Sequence, residues 1–408
     1  MASARLSFDV VVAGGGAAGL AAAVSAASQG AHTLLVERYG FLGGMATAGM
    51  VGTICGLYEN ARTGPPRLLN QGVAASFARR LAELPGCEDP VRHGRVLVQP
   101  YHPFAFARLA DQLAAEQPSL EVWLHAHLAS AEVREAALQA VEVVSWDGRL
   151  PVEADAFVDA TGDAVLSGLA GVALEEAPPA ERQLPSLVFV MHGVRQEELR
   201  GGRVVGALRA VARAEAEGRL PEGSSNLALR PTAQPGEVVG KLALGDLGRG
   251  TPSDMSLIER EGRRRVAALS AFLIDSVPAF AGSFLSHTAP QVGVREGRRI
   301  QGRYRLTRDD VLQGRSFEDG VARAAWPIEL WEPGQSGACY EYLEDGASYQ
   351  IPLRALRPPA IDNLLVAGRC LSASHQAAGS ARVIGTCLAV GEAVGKVAAE
   401  IAGGRSRP

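Results

Sequence analysis

Between residues 14 and 19 the chain reads Gly14-x-Gly16-x-x-Gly19, directly after an apolar run and directly before a stretch of small residues. No other feature constrains the fold as strongly. Phe8–Ala13 is apolar and β-branched, as a buried strand requires. Ala17–Gln29 is alanine-rich and closed by Gly30, the pattern of a helix and its C-terminal stop. His32–Val36 is a second apolar strand, ending at Glu37. Strand, glycine turn, helix and strand make one βαβ crossover, and its right-handed connection makes the sheet parallel.

Each glycine answers a different demand. Gly14 permits the tight turn, Gly16 lets a pyrophosphate approach the backbone, and Gly19 lets helix and strand pack closely. The helix start at Ala17 and Ala18 presents free N–H groups and a partial positive charge to phosphates. Glu37 lies 18 residues beyond Gly19, where a carboxylate accepts ribose hydroxyls. The pattern implies a dinucleotide site and leaves FAD and NAD both open. Val10–Ala27 is also about the length of a membrane span, but the glycines that interrupt it serve the turn.

The chain has 408 residues, more than one core of about 250 residues accommodates. Phe104–Glu116 has helical periodicity. Leu120–His125, Ala140–Trp146 and Ala156–Asp159 read as strands, with a hairpin turn at Asp147-Gly148. They predict an antiparallel extension on the parallel sheet. After Ala177-Pro178-Pro179 the chain is richer in arginine and in turns, up to Arg357-Pro358-Pro359. Ile361–Ala367 is again strand-like and Val383–Ile401 helical. The expected class is α/β: a Rossmann-like domain from residues 1–177 and 358–408, with an α+β substrate or cap domain, 178–357, inserted between them.

Net charge is −4 with 40 basic residues, of which only Lys241 and Lys396 are lysine; aromatics make up 5%. This balance argues against nucleic-acid and anionic-membrane partners. Five cysteines without a CxxC pair give no metal-ligand or iron–sulfur spacing, and a reducing cytoplasm fits them. The expected partners are a small-molecule substrate and an unspecified electron acceptor or donor, with homo-oligomerisation left open.

Three further stretches carry a resemblance. They are Glu37-Arg38-Tyr39-Gly40-Phe41-Leu42-Gly43-Gly44-Met45 with Thr47, Asp159-Ala160-Thr161-Gly162-Asp163, and Asn363–Cys370 with Gly379-Ser380-x-Arg382. With Val294-Arg295-Glu296-Gly297-Arg298-Arg299-Ile300, the chain resembles the FAD-dependent oxidoreductase family. That family is mostly bacterial, of glutathione-reductase type, and related to fumarate-reductase and ketosteroid-dehydrogenase flavoproteins. The resemblance implies FAD at Gly14, Gly16, Ala17, Ala18, Gly19, Glu37 and Arg38. It extends the site to Gly43, Gly44, Met45 and Thr47, then to Ala160, Thr161 and Gly162. The closing part is Gly368, Arg369, Ile384, Gly385 and Thr386. Met45-Ala46-Thr47 has no histidine, so non-covalent FAD is expected. Ile328-Glu329-Leu330-Trp331 stands where relatives often carry an Asp-x-His pair, so no histidine is borrowed from there.

The catalytic candidates are His375, Arg382, Arg295 and Tyr349. His375, expected in the loop before the last helix, has a side chain suited to proton transfer near neutrality. Arg382 and Arg295 could hold an anion; Arg298 and Arg299 belong to the same run. Glu329, beside Trp326 and Trp331, is a further proton-transfer candidate whose carboxyl burial would push up. Cys370 and Cys387 read as small core residues. The glycine fingerprint occurs once, so a dedicated NAD(P)H site is not expected. The leading reading is hydride transfer between a small organic substrate and flavin N5. The alternatives are a flavin monooxygenase and a non-catalytic FAD-binding subunit.

Overall fold

The structure is a computed structural model that describes residues 6–404 apart from 247, 249 and 336. The chain opens with β1 (Leu6–Ala13), α1 (Ala17–Ser28) and β2 (Thr33–Val36). A small excursion follows: β3 (Thr53–Cys55), α2 (Val73–Ala82), β4 (Val91–His93) and β5 (Val96–Pro100), the three strands pairing in the order β3-β5-β4. Then come α3 (Pro103–Ala115), β6 (Leu120–Trp123), β7 (His127–Arg134), β8 (Ala137–Ser145) and β9 (Gly148–Asp159). β6, β2, β1 and β9 run parallel, and β8 and β7 continue the sheet antiparallel. The sheet is the one the sequence predicts. The apolar run that mimicked a membrane span is β1, its glycine turn and α1. Ala17–Ala27 of that helix are all buried, as an apolar helix inside a protein must be. Among the described residues no helix is long and apolar enough to cross a membrane.

Next along the chain are α4 (Val165–Leu169), β10 (Leu174–Glu175), β11 (Ser186–His192), α5 (Val204–Ala216), β12 (Leu227–Pro231), β13 (Val238–Ala243), α6 (Pro252–Ser276) and β14 (Phe284–Thr288). β12-β13-β11-β14 form an antiparallel sheet. Leu187, Phe189 and Leu242 on one face share a core with Val211 of α5 and Val266 and Leu269 of α6. The region read as richer in arginine and turns thus holds a 25-residue helix. Its start is written in the sequence, because Thr251 and Asp254 form a reciprocal capping box. The other sheet face carries Arg230, Val239 and Val190 side by side in register, with Lys241 two residues along β13, between Val188 and Ala228.

The last third contains β15 (Arg299–Ile300), α7 (Arg308–Leu312), β16 (Gly320–Ala324), β17 (Ile328–Leu330), β18 (Cys339–Glu341), β19 (Tyr349–Pro352), β20 (Leu364–Val366), α8 (His375–Ala381) and α9 (Ile384–Ala402). β20 returns to the first sheet and pairs parallel with β9. Within the stretch 178–357, residues 186–288 build their own core. Val311, Ala324, Ile328, Tyr349 and Leu356 instead join the core of α1, α3 and α9. α9 lies against α1 along Gly391 and Gly395, where an added Cβ would strike the carbonyls of Ala18 and Ala22.

Candidate functional site

The glycine turn has the geometry its spacing predicts. Gly14 has φ +95°, in the region that favours glycine, and a Cβ there would meet Ala160 O at 2.6 Å. At Gly19 a Cβ would collide with Gly14 O, whereas Gly16 has open space out to Gly44 Cα at 3.8 Å. The N-terminus of α1 has no side-chain cap, so its N–H groups remain available to a phosphate. Glu37 is buried; Oε2 accepts from Gly15 N at 2.6 Å and Oε1 from Tyr39 N at 2.9 Å. Burial pushes its carboxyl up, against these backbone donors and Arg38.

Several of the resemblance-derived positions converge on this turn. Gly43 N donates to Gly15 O, and Gly44 lies against Gly16. Thr47 Oγ1 donates to Leu42 O at 2.8 Å, which folds the 42–47 loop, and half-buried Met45 packs near Gly49. Ala160 follows β9; Thr161 is tied to Asp159, and Gly162 has φ +81°. Gly368 faces Ala18, and Arg369 donates to Gly162 O, Asp163 and Val294 O. Arg38 is exposed and donates to Gln291 Oε1 across to the inserted region. α9 begins at Ile384 with no side-chain cap. Gly385 sits where a Cβ would meet Gly56 C at 2.6 Å, and Thr386 Oγ1 is buried with no partner among the described residues. Two uncapped helix ends, an open Gly16 and an unsatisfied Thr386 hydroxyl fit a dinucleotide and a ring carrying hydrogen-bonding groups.

Beside α9 lies a second, charged group of residues. His375 is not in a loop but is the first residue of α8, which Ser374 caps through Ala377 N. Its Nδ1 lies 2.8 and 2.9 Å from the two oxygens of Glu296, while Nε2 is buried with no partner among the described residues. Arg299 is buried and donates to Glu296 and to Ala373 O. Burial pushes Glu296 up, but His375 and Arg299 outweigh it and hold the carboxyl below its ordinary value. Arg295 lies 4.4 Å over the Trp331 ring and donates to Leu184 O. Arg295 and Arg299 are thus both inside, with different partners, and the stretch between them is neither helix nor a shared strand face. Arg298 donates to Asp163 O. Arg382 reaches Gln183 Oε1 at 3.3 Å. Glu329 accepts from both indoles, Trp326 at 2.8 Å and Trp331 at 2.6 Å. Its carboxyl shifts opposite to expectation: burial pushes it up, but Arg382, Lys241 and the two indoles bring it below its usual range.

Tyr349 stands apart from this group. It is fully buried, with its hydroxyl 2.6 Å from Ser380 Oγ. Burial pushes the Cys387 thiol up to about 12 and raises Cys370 as well, and all five cysteines are free. Lys241, Glu296, Gln183 and Trp331 belong to the charged group; the sequence reading named Trp331 only as a neighbour of Glu329 and gave the other three no role in the site. Lys241 carried a signal, as one of two lysines among 40 basic residues. Glu296 was hidden inside an arginine run. Further along the same sheet face, a cavity of about 580 Å³ is bounded by Thr47, Met50, Tyr101, Arg230 and His287. Val239 lines it, two residues from Lys241, so cavity and charged group are about 7 Å apart along β13.

A parallel sheet with a glycine turn at its carboxyl ends, closed by a returning strand and helix, defines a dinucleotide-binding protein. The chain belongs to the FAD dependent oxidoreductase family, whose sequence profile matches residues 9–407. No curated protein sequence matches it significantly. Among solved structures it is similar to the anhydrotetracycline hydroxylase OxyS from Streptomyces rimosus, with TM-score 0.51 and 15% identity over 99% of this chain and 64% of that one. It is also similar to a geranylgeranyl bacteriochlorophyll reductase-like protein from Thermoplasma acidophilum (TM-score 0.49, 12% identity, 98% and 78% covered). At 15% identity the likeness to the hydroxylase speaks for the fold alone. The protein is an FAD-dependent oxidoreductase with an α/β, Rossmann-like cofactor domain.

Proposed function

We propose that the protein transfers hydride between a carbon of a small organic substrate and flavin N5, with His375 carrying the accompanying proton. The observation that supports this is the buried, unpartnered Nε2 of His375, whose Nδ1 is held by Glu296. Bound FAD supplies the two-electron exchange. In the oxidative direction a C–H of the substrate leaves as hydride, and a proton leaves the neighbouring atom for His375 Nε2. The substrate thereby gains a double bond, and both hydrogens are accounted for. Glu296, itself held by Arg299, orients the imidazole and stabilises its charged form. Gly14, Gly16, Gly19 and Glu37 hold the adenosine and pyrophosphate end. The free N–H groups at the start of α9, with the Thr386 hydroxyl, would hold the ring and its negative charge.

The test is anaerobic mixing of the FAD-loaded protein with a panel of hydroxy acids, alcohols, amines and saturated acids. Bleaching of the flavin band by one of them, slowed about 10²-fold or more in His375→Asn, is expected. Oxygen consumption that depends on substrate and yields an oxygenated product would instead establish a monooxygenase. Flavin released into the supernatant on acid precipitation would establish the non-covalent cofactor.

A further inference from the structure

The charged group holds more positive charge than it can balance. Lys241 from β13, Arg295 from the stretch before β15, and Arg382 at the end of α8 converge on Trp331 and Glu329. Lys241 Nζ lies 5.2 Å over the Trp331 ring, on the same ring that carries Arg295. Among the described residues Glu329 is the carboxylate acting on all three cations, and two indole N–H groups already occupy its oxygens. Three cations against one anion inside a protein are costly unless a further anion joins them.

Three unsatisfied atoms around Trp331 and Glu329 are of one kind. Arg295 Nη2, Arg382 Nε and Gln183 Nε2 are buried with no partner among the described residues. All three are N–H donors. Arg295 is 7% exposed and Gln183 1%, so water does not readily serve them. A neutral alcohol or ketone offers too few lone pairs for three donors. A carboxylate offers about four, with the charge the group lacks. The Trp331 ring supplies an apolar wall next to it.

The group is also joined to the proton-handling pair. Arg295 is the chain neighbour of Glu296, Gln183 N donates to Glu296 Oε2, and Arg382 caps the helix that His375 opens.

We infer that Lys241, Arg295, Arg382 and Gln183 form the binding site for a carboxylate of the substrate, which makes the substrate an organic acid. The inference rests on the proposed hydride transfer only in assigning the anion to the substrate. The anionic ring of reduced flavin is the other source of a negative charge for these donors, and the test separates the two.

The experiment titrates the oxidised, FAD-loaded protein with malonate and, separately, with its neutral counterpart malonamide, following the flavin spectrum and the melting temperature. Saturable binding of malonate but not malonamide is expected. Arg295→Gln and Gln183→Leu should weaken it about tenfold or more, and Arg295→Lys should recover part of the loss, with FAD content per chain unchanged. Equal binding of both probes, or of neither, overturns the inference. So does unchanged malonate affinity in folded, FAD-loaded Arg295→Gln whose flavin potential alone has fallen, because the donors then serve the reduced ring. Malonate binding requires no turnover, so failure of every substrate to bleach the flavin would sink hydride transfer and leave the carboxylate site standing. Bleaching by a neutral substrate with no malonate binding would do the reverse.

Discussion

Lys241 shows what a single residue can reveal here. The chain uses arginine for 38 of its 40 basic residues, yet places one of its two lysines on the inner face of β13. Burial, ahead of the like charge of Arg295, pushes its ammonium down to about 7, with Arg382 adding to the effect and Glu329 and Cys55 opposing it. The unfolded chain holds this proton up to about 10.4, so between pH 7 and 10 the unfolded state binds more of it. The resulting destabilisation is complete at and below pH 7 and fades as pH rises. Lys241→Met is therefore expected to raise the melting temperature more at pH 6 than at pH 10; the opposite order would contradict the assignment. Glu296 makes a second prediction. Glu296→Gln keeps the side-chain shape but removes the negative charge facing His375 Nδ1. The rate of flavin reduction should fall about tenfold or more and its pH profile should move, while FAD content stays constant. A lower melting temperature with an unchanged pH profile would mark Glu296 as structural only. Residues such as these were the least legible part of the sequence. Gly14, Gly16, Gly19 and Glu37 could be read because their roles are local and fixed by spacing. Glu296 and His375 are 79 positions apart, and no periodicity connects them.

At the scale of elements, legibility followed length and local pattern. β1, α1 and β2 were readable as apolar or alanine-rich runs bounded by glycines, α3 by its helical period, and the β8–β9 hairpin by its Asp147-Gly148 turn. α8 has seven residues, too few for a period, so His375 was expected in a loop although Ser374 before it is a good cap. α6 was missed despite its capping box, because charge along its length hid the apolar stripe. The contact between α1 and α9 is set by alanine and glycine and has little tolerance. Gly391→Val would drive a branched side chain into the Ala18 carbonyl. Overpacking of this kind costs about 1–3 kcal/mol, and here it separates the two helix starts assigned to the proposed FAD site. A lower melting temperature together with a reduced ratio of flavin to protein is expected. Stability lost without any loss of flavin would show that the helices position the cofactor independently.

The whole molecule is one chain that leaves its first sheet and comes back. The glycine fingerprint occurs once, which leads to a prediction about electron supply: anaerobic NADH or NADPH should reduce the flavin slowly compared with the organic substrate. Rapid reduction by either would place a nicotinamide site in the molecule that its sequence does not advertise. The α/β character and the antiparallel extension were legible from order alone. The core shared by residues near 311–356 with α1 and α9 was not, because it depends on contacts between the two ends of the chain. The two parts of the proposed cradle are also separated in time. The glycine turn is made well before β20 and α9, which begin at Leu364 and Ile384. With FAD held as proposed, capture of the cofactor waits for α9, and a chain interrupted before α9 would be released colourless.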